Sequence, residues 1–151
     1  MSDLIHVMNE TLGLRAVDIR SYSPLALAYI GDGVFDLIIR SFVINRGNVQ
    51  VNKMHRHTSN IVKAQTQAQM VQALEPLLNT EEEGYYKRGR NAKSHTTAKN
   101  ASVGDYRKAT GFEALVGYLY LTGQNERLME LMKTALTEIG EIRECVTKNL
   151  P

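Results

Sequence analysis

The sequence predicts an all-α fold in a single domain, and three observations carry that reading. Apolar residues recur at three- and four-residue spacing along most of the chain, and the strict alternation of a strand is scarce. Cap and stop signals bracket the periodic stretches, with Ser23 ahead of Pro24 at one end of the longest and "NRGN" at the other. No linker-like, repetitive or low-complexity tract divides the 151 residues. A chain of that length buries roughly 68–70% of its unfolded surface in one core, without help from metals or disulfides. The predicted domain therefore spans residues 1–151.

Six or seven helices follow in order. "SDLIHVMNETL" predicts a short first helix capped by Ser2 or Asp3. "SYSPLALAYIGDGVFDLIIRSFVIN" predicts a long second one, with Ser23 as N-cap and Pro24 at the first helical position. "VNKMHRHTSNIVKAQTQAQMVQAL" predicts one unbroken third helix with a stripe of Met54, Ile61, Val62, Ala68, Val71 and Leu74. Pro76 starts a short helix. "NTEEEGYYKRGRN" is next, where Thr80 and Glu83 have the spacing of a capping box. "AKSHTTAKNASVGD" has no apolar period and predicts a loop. "DYRKATGFEALVGYLYLTG" predicts a helix stopped near Gly123. "NERLMELMKTALTEIGEI" predicts the last, with Leu128, Leu131, Met132, Ala135, Leu136 and Ile139 as its core face.

Composition narrows the class. Hydrophobic residues make up 43% and charged residues 23%, the proportions of a soluble globular protein. The single cysteine, Cys145, excludes an intrachain disulfide and a cysteine zinc cluster, and fits a reducing, cytoplasmic location. "MSDLIHVMNE" has neither the basic start nor the apolar run of a signal peptide. The most apolar window, residues 25–44, is interrupted by Asp32, Asp36 and Arg40, which argues against a membrane span. A net charge of +2 says little about partners, so the distribution of charge has to decide.

Three features carry chemistry. Asp32 sits in "YIGDGVF", amid apolar residues and between two glycines that each cost about 0.8–1 kcal/mol in a helix interior. An ionised carboxylate there needs a cation, donors or water. From the residues alone a buried ion pair with an arginine explains Asp32 about as well as a site where a metal and a phosphate come close. Glu113 in "GFEALVGYLYL" is a second carboxylate on a face that should be core. If the two helices pack together, both acids can hold one hard cation, since Mg²⁺ takes one or two protein carboxylates besides waters and phosphate. The third feature is residues 86–100. Lys87, Arg88, Arg90, Lys93 and Lys99 occur there without an acid, beside Asn91, Ser94, Thr96 and Thr97. Cations with small polar groups suit a phosphate backbone; a solvated loop is the other reading. His55 and His57 lie two apart, on different faces of a helix, and make no zinc pair. Neither a Walker A loop nor a nucleophile–histidine arrangement stands out.

Taken together, "LALAYIGDGVFDLIIR", "KRGRNAKS" and "FEALVGYL" resemble the ribonuclease III endonuclease domain, and more closely its small bacterial branch, the Mini-III ribonucleases. The similarity covers about residues 23–145. It implies a ribonuclease III-like helical fold, a homodimer and Mg²⁺-dependent cleavage of double-stranded RNA into 5′-phosphate and 3′-hydroxyl ends. It implies Asp32 and Glu113 as catalytic, metal-holding acids. It further implies Lys87, Arg88, Arg90, Asn91, Lys93, Ser94 and Lys99 as RNA contacts, with Lys53, His55, Arg56 and Lys63 in support. The substrate it suggests is a precursor of large (23S) ribosomal RNA, with a ribosomal protein on that substrate as an accessory partner. Leu25, Ala28 and Thr110 stand where the longer relatives carry acids, as in the Mini-III branch, and Asp36 lies one turn from Asp32 as a substitute acid. A separate double-stranded RNA-binding domain has no room after the last helix on this reading. The dimer patch is expected on the Gly31–Val34 side of the second helix, near Tyr118 and Tyr120. The alternative function is a non-catalytic double-stranded RNA-binding module on the same fold, motivated by the thinned acids; a helical scaffold with ion-paired core acids is a third.

Overall fold

The computed structural model describes residues 3–93 and 102–143. Among these, seven α-helices form: α1 (Leu4–Thr11), α2 (Pro24–Ile44), α3 (Val51–Val62), α4 (Ala64–Leu74), α5 (Thr80–Asn91), α6 (Val103–Leu121) and α7 (Asn125–Glu138). Short 3-10 turns occupy Ile19–Ser21 and Glu75–Leu77. No strand occurs among the described residues, and no helix there is long and apolar enough to cross a membrane.

The caps do much of what the sequence predicts. The Asp3 side chain accepts from the backbone N–H of His6 at 2.7 Å and starts α1. Ser23 accepts from Ala26 N–H at 3.1 Å, with Pro24 at the first position of α2. The capping box of α5 lies one residue earlier than predicted. Asn79 accepts from Glu82 N–H at 2.9 Å, and the Glu82 carboxylate accepts from Asn79 N–H at 3.0 Å. Both Thr80/Glu83 and Asn79/Glu82 have the required spacing, and burial decides between them. Glu82 is fully buried and Glu83 is exposed.

The predicted third helix is two helices. Lys63 takes an extended conformation (φ −64°, ψ 152°) and separates α3 from α4. Side chains compensate for the broken ladder: the Thr66 hydroxyl donates to Asn60 O at 2.7 Å, and the Gln67 amide donates to Val62 O at 2.8 Å. The apolar stripe runs on across the break, with Ile61, Ala68, Val71 and Leu74 all buried, so periodicity alone could not reveal it.

Helix α6 is the central element. Every residue from Ala114 to Leu119 is buried, and α2, α4, α5 and α7 surround it. Phe35 of α2 meets Phe112 edge-on with ring centroids 5.1 Å apart, and Tyr85 of α5 stacks on Tyr118 at 4.0 Å. Glycines let the backbones close in. A Cβ on Gly31 would lie 1.7 Å from the Glu113 carbonyl oxygen, and one on Gly117 would lie 2.1 Å from that of Leu27. The α2–α6 crossing is thus a backbone-to-backbone contact that side chains at these two positions would forbid. Gly89 and Gly111 do the same for α5 and α6, where a Cβ on Gly89 would come 3.0 Å from Gly111 Cα.

The expected dimer patch divides. Gly31 and Tyr118 face inward, since the α2–α6 crossing and the Tyr85 stack use them. Gly33, Val34 and Tyr120 instead line an outer apolar groove.

Candidate active site

The Gly31 crossing puts the two sequence-selected acids side by side. Asp32 follows Gly31 on α2, and Glu113 is the α6 residue whose carbonyl Gly31 approaches. Asp32 is exposed and Glu113 half-buried. Burial, and then the negative charge of Asp32, push Glu113 up to about 7, although the Gln67 hydrogen bond works the other way. Burial and then the charge of Asp36 raise Asp32 as well. Two neighbouring acids that are both pushed toward the protonated form, Glu113 in part by the charge of Asp32, share a site in which no charged partner among the described residues offsets them.

That absence of a partner is informative, because this chain does neutralise other acids. Glu82, fully buried, receives two bonds of 2.9 Å from the Arg127 guanidinium. These hold its carboxyl below the usual carboxylate range. Asp36 pairs with Arg40 at 2.7 Å. Among the described residues no lysine, arginine or histidine pairs with Asp32 or Glu113. The buried ion pair that could have explained Asp32 occurs at Glu82 instead. Ala28 is buried, Leu25 exposed and Thr110 bonded to its own helix at Tyr106 O (3.0 Å), so none of the three adds a charge.

Gln67 is the residue that sequence reasoning missed. It is 2% exposed, and its amide nitrogen donates to Glu113 Oε1 at 3.1 Å as well as to Val62 O. The signal was there: Gln67 sits four and seven residues before Val71 and Leu74, a polar side chain in an apolar stripe, as Asp32 is.

The basic residues sit differently from the expected loop. Lys87, Arg88, Arg90 and Asn91 belong to the last turns of α5. Lys87 pairs with Glu83 at 2.6 Å. Arg88 lies over the Tyr85 ring at 4.3 Å, and Arg90 over Tyr86 at 5.6 Å while donating to Asn91 Oδ1 at 3.3 Å. Lys93 is exposed; Ser94 and Lys99 lie outside the described residues. The Gly89 contact with Thr110 and Ala114 brings this basic end of α5 alongside the α6 turn that carries Glu113. A cleft of about 240 Å³ opens next to it, lined among others by Arg20, Tyr22, Tyr85 and Arg88, with Arg20 oriented by Asp18 at 3.1 Å. Arg20 was not singled out in the sequence because it stands alone there, 68 positions from Arg88.

The donor set fits a divalent cation. Among the described residues no group of three or more His, Cys, Asp or Glu gathers to hold a metal. Two carboxylates with uncompensated charge, one exposed to solvent, match a hard cation that keeps several waters and binds phosphate.

Comparisons with known proteins show the family. The model of the ribonuclease III domain matches residues 25–124, which contain both acids and Gln67. The chain is 48% identical over 129 residues to the Mini-ribonuclease 3 of Enterococcus faecalis, covering 84% of this chain and 98% of the relative. It is 48% identical over 120 residues to that of Clostridium tetani, covering 79% and 80%. With the Mini-ribonuclease 3 of Streptococcus pneumoniae it shares 41% identity over 125 residues, 82% of this chain and 98% of that one. A crystal structure of a Fusobacterium nucleatum protein superposes with a TM-score of 0.74 at 27% identity, covering 80% of this chain and 98% of that one. A ribonuclease III match over most of the helical core, with relatives of this similarity, makes the chain a member of the ribonuclease III family and an endoribonuclease.

Proposed function

We propose that this endoribonuclease cleaves double-stranded RNA with Asp32 and Glu113 as its catalytic, metal-holding acids, and that its cation is Mg²⁺. The observation that carries the reading is the pair of acids at the Gly31 crossing, where the charge of Asp32 adds to burial in raising Glu113 and neither acid has a basic partner among the described residues. When bound, Mg²⁺ supplies positive charge that eases deprotonation of a water and offsets the charge building on the scissile phosphate. Asp32 is exposed and open to an incoming substrate, while Glu113 is half-buried and held by the Gln67 hydrogen bond. Water oxygen adds to phosphorus, the bond from phosphorus to the 3′ oxygen breaks, and that oxygen leaves with a proton. The products carry 5′-phosphate and 3′-hydroxyl ends.

Duplex RNA is recognised mostly by shape, phosphates and 2′-hydroxyls, a task for cations and small polar groups. Lys87, Arg88, Arg90, Asn91 and Lys93 supply them beside Glu113, with Ser94 and Lys99 assigned to the same role from the sequence. A precursor of large ribosomal RNA is the proposed natural substrate, acted on in the cytoplasm with a ribosomal protein bound to it. Two copies of the chain, joined along the apolar groove that Val34, Leu37 and Tyr120 line, place one site on each strand.

Labelled duplex RNA incubated with protein and Mg²⁺ tests the reading. The natural chain should cut it, and Asp32→Asn should lose at least about 100-fold in rate while still binding RNA. Binding without cutting by the natural chain would return the non-catalytic RNA-binding module.

A further inference from the structure

The break at Lys63 interrupts the helix but not the apolar stripe, which continues on either side of it. Its consequence is local. In an unbroken helix the Val62 carbonyl would be used by the backbone N–H four residues on. With Lys63 extended, that carbonyl is available, and the Gln67 side chain takes it at 2.8 Å. The same nitrogen also reaches Glu113 Oε1 at 3.1 Å. One amide thus ties the end of α3 to the half-buried acid on α6. Both partners are acceptors, so the network requires nitrogen, not oxygen, on this side of the amide.

We infer that Gln67 is a positioning residue for metal binding: its amide holds Glu113 Oε1 in place, so that the carboxylate would be presented to a cation in one fixed orientation. This rests on the reading of Glu113 as a metal-holding acid. A carboxylate on a helix has several rotamers of similar energy, and each metal-binding event must select one. A neutral donor suits the task, because lysine or arginine here would neutralise Glu113 and compete with the cation. The Gln67 side-chain oxygen is buried and has no hydrogen-bond partner among the described residues. Keeping an amide where it leaves one of its own atoms unpaired costs stability, which points to a role for its donor. Partners that orient a metal ligand from behind typically change metal affinity or activity by about 10–100-fold when removed.

The test measures Mn²⁺ binding by paramagnetic resonance, together with kcat, KM for a short RNA duplex, and the melting temperature. Gln67→Met keeps the length and loses the donor; Gln67→Asn keeps the amide but falls one methylene short. Both should weaken Mn²⁺ by about 10–100-fold and lower kcat, with KM for RNA nearly unchanged and part of kcat regained at high metal. Thr66→Val serves as the control. It removes a cap of the same break, to Asn60 O, and should lower the melting temperature without moving Mn²⁺ affinity. The inference fails if whichever glutamine variant folds binds Mn²⁺ within twofold of the natural chain. It also fails if Thr66→Val loses Mn²⁺ equally, because the break alone would then matter. A natural chain whose Mn²⁺ binding is indifferent to Asp32→Asn would instead overturn the metal site itself.

Discussion

Burial and a neighbouring acid both work against the charged form of Glu113. Its pKa is pushed up to about 7, from a usual value of 4.5, chiefly by burial and secondly by Asp32. A carboxyl whose folded pKa is raised contributes stability that is fully present below the unfolded pKa and lost as pH rises through the folded one. Without metal, the natural chain therefore gives up stability from this group between about pH 4.5 and 7. Glu113→Gln cannot ionise, so it should match the natural chain near pH 4 and exceed it by about 1–3 kcal/mol at pH 8 in EDTA. Urea melts at the two pH values read the difference directly. Adding Mg²⁺ at pH 8 should stabilise the natural chain and leave the variant where it was, since only a binder of the folded state gains. A difference between the two proteins that does not change with pH would mean that Glu113 is not strained by its charge. Asp32 and Glu113 were legible in the sequence because a lone acid in an apolar run contradicts its surroundings. Gln67 was less so: a neutral amide contradicts them more mildly, and only the geometry brings it to Glu113.

At the scale of elements the α2–α6 crossing sets the site, and it depends on glycines that differ in consequence although they look alike in "GDG". A methyl on Gly31 has nowhere to go, 1.7 Å from a carbonyl oxygen of α6. At Gly33 nothing lies within 4 Å. Gly31→Ala should therefore push α2 off α6, costing about 1–3 kcal/mol or more and separating Asp32 from Glu113, with loss of cleavage. Gly33→Ala should fold normally and gain up to about 1 kcal/mol from helix propensity. Denaturant melts and cleavage rates on both variants decide it; equal behaviour would deny the close crossing. Helix order and the caps at Asp3 and Ser23 could be read from the sequence because local chemistry dictates them. The split at Lys63 and the shift of the capping box to Asn79/Glu82 could not. Both are settled by tertiary partners, Glu113 on α6 for Gln67 and Arg127 on α7 for Glu82. The basic cluster was legible as composition. Its partition into helix, Tyr85- and Tyr86-stacked arginines and an ion pair with Glu83 depended on neighbours outside it.

Considered as a whole molecule, the chain buries the middle of α6, Ala114 to Leu119, yet leaves an apolar face open beside its C-terminal end. A groove of about 410 Å³ runs between α1, α2 and α7, with Ile30, Val34, Leu37 and Tyr120 among its lining residues. Leu37 is 60% exposed there and Met129 49%, and α1 lies along it without burying one residue of its own. A monomer gains nothing from keeping such a face wet, and large apolar patches mark association surfaces. The proposed homodimer would cover it by two-fold symmetry, in which each residue of the face is used twice. Leu37→Glu then introduces two unpaired carboxylates into one apolar contact, a cost far above that of a single surface change. In sedimentation the natural chain should run at twice 16.9 kDa and the variant at 16.9 kDa. Leu37 lines the outer groove and not the α2–α6 crossing, so the separated chain should keep the Mn²⁺ binding proposed for Asp32 and Glu113. Its duplex products should change from paired cuts to single-strand nicks, because one site now meets one strand at a time. A natural chain that sediments as a monomer would remove this groove as a dimer face, and a monomeric variant that still makes paired cuts would show that one copy suffices for both strands.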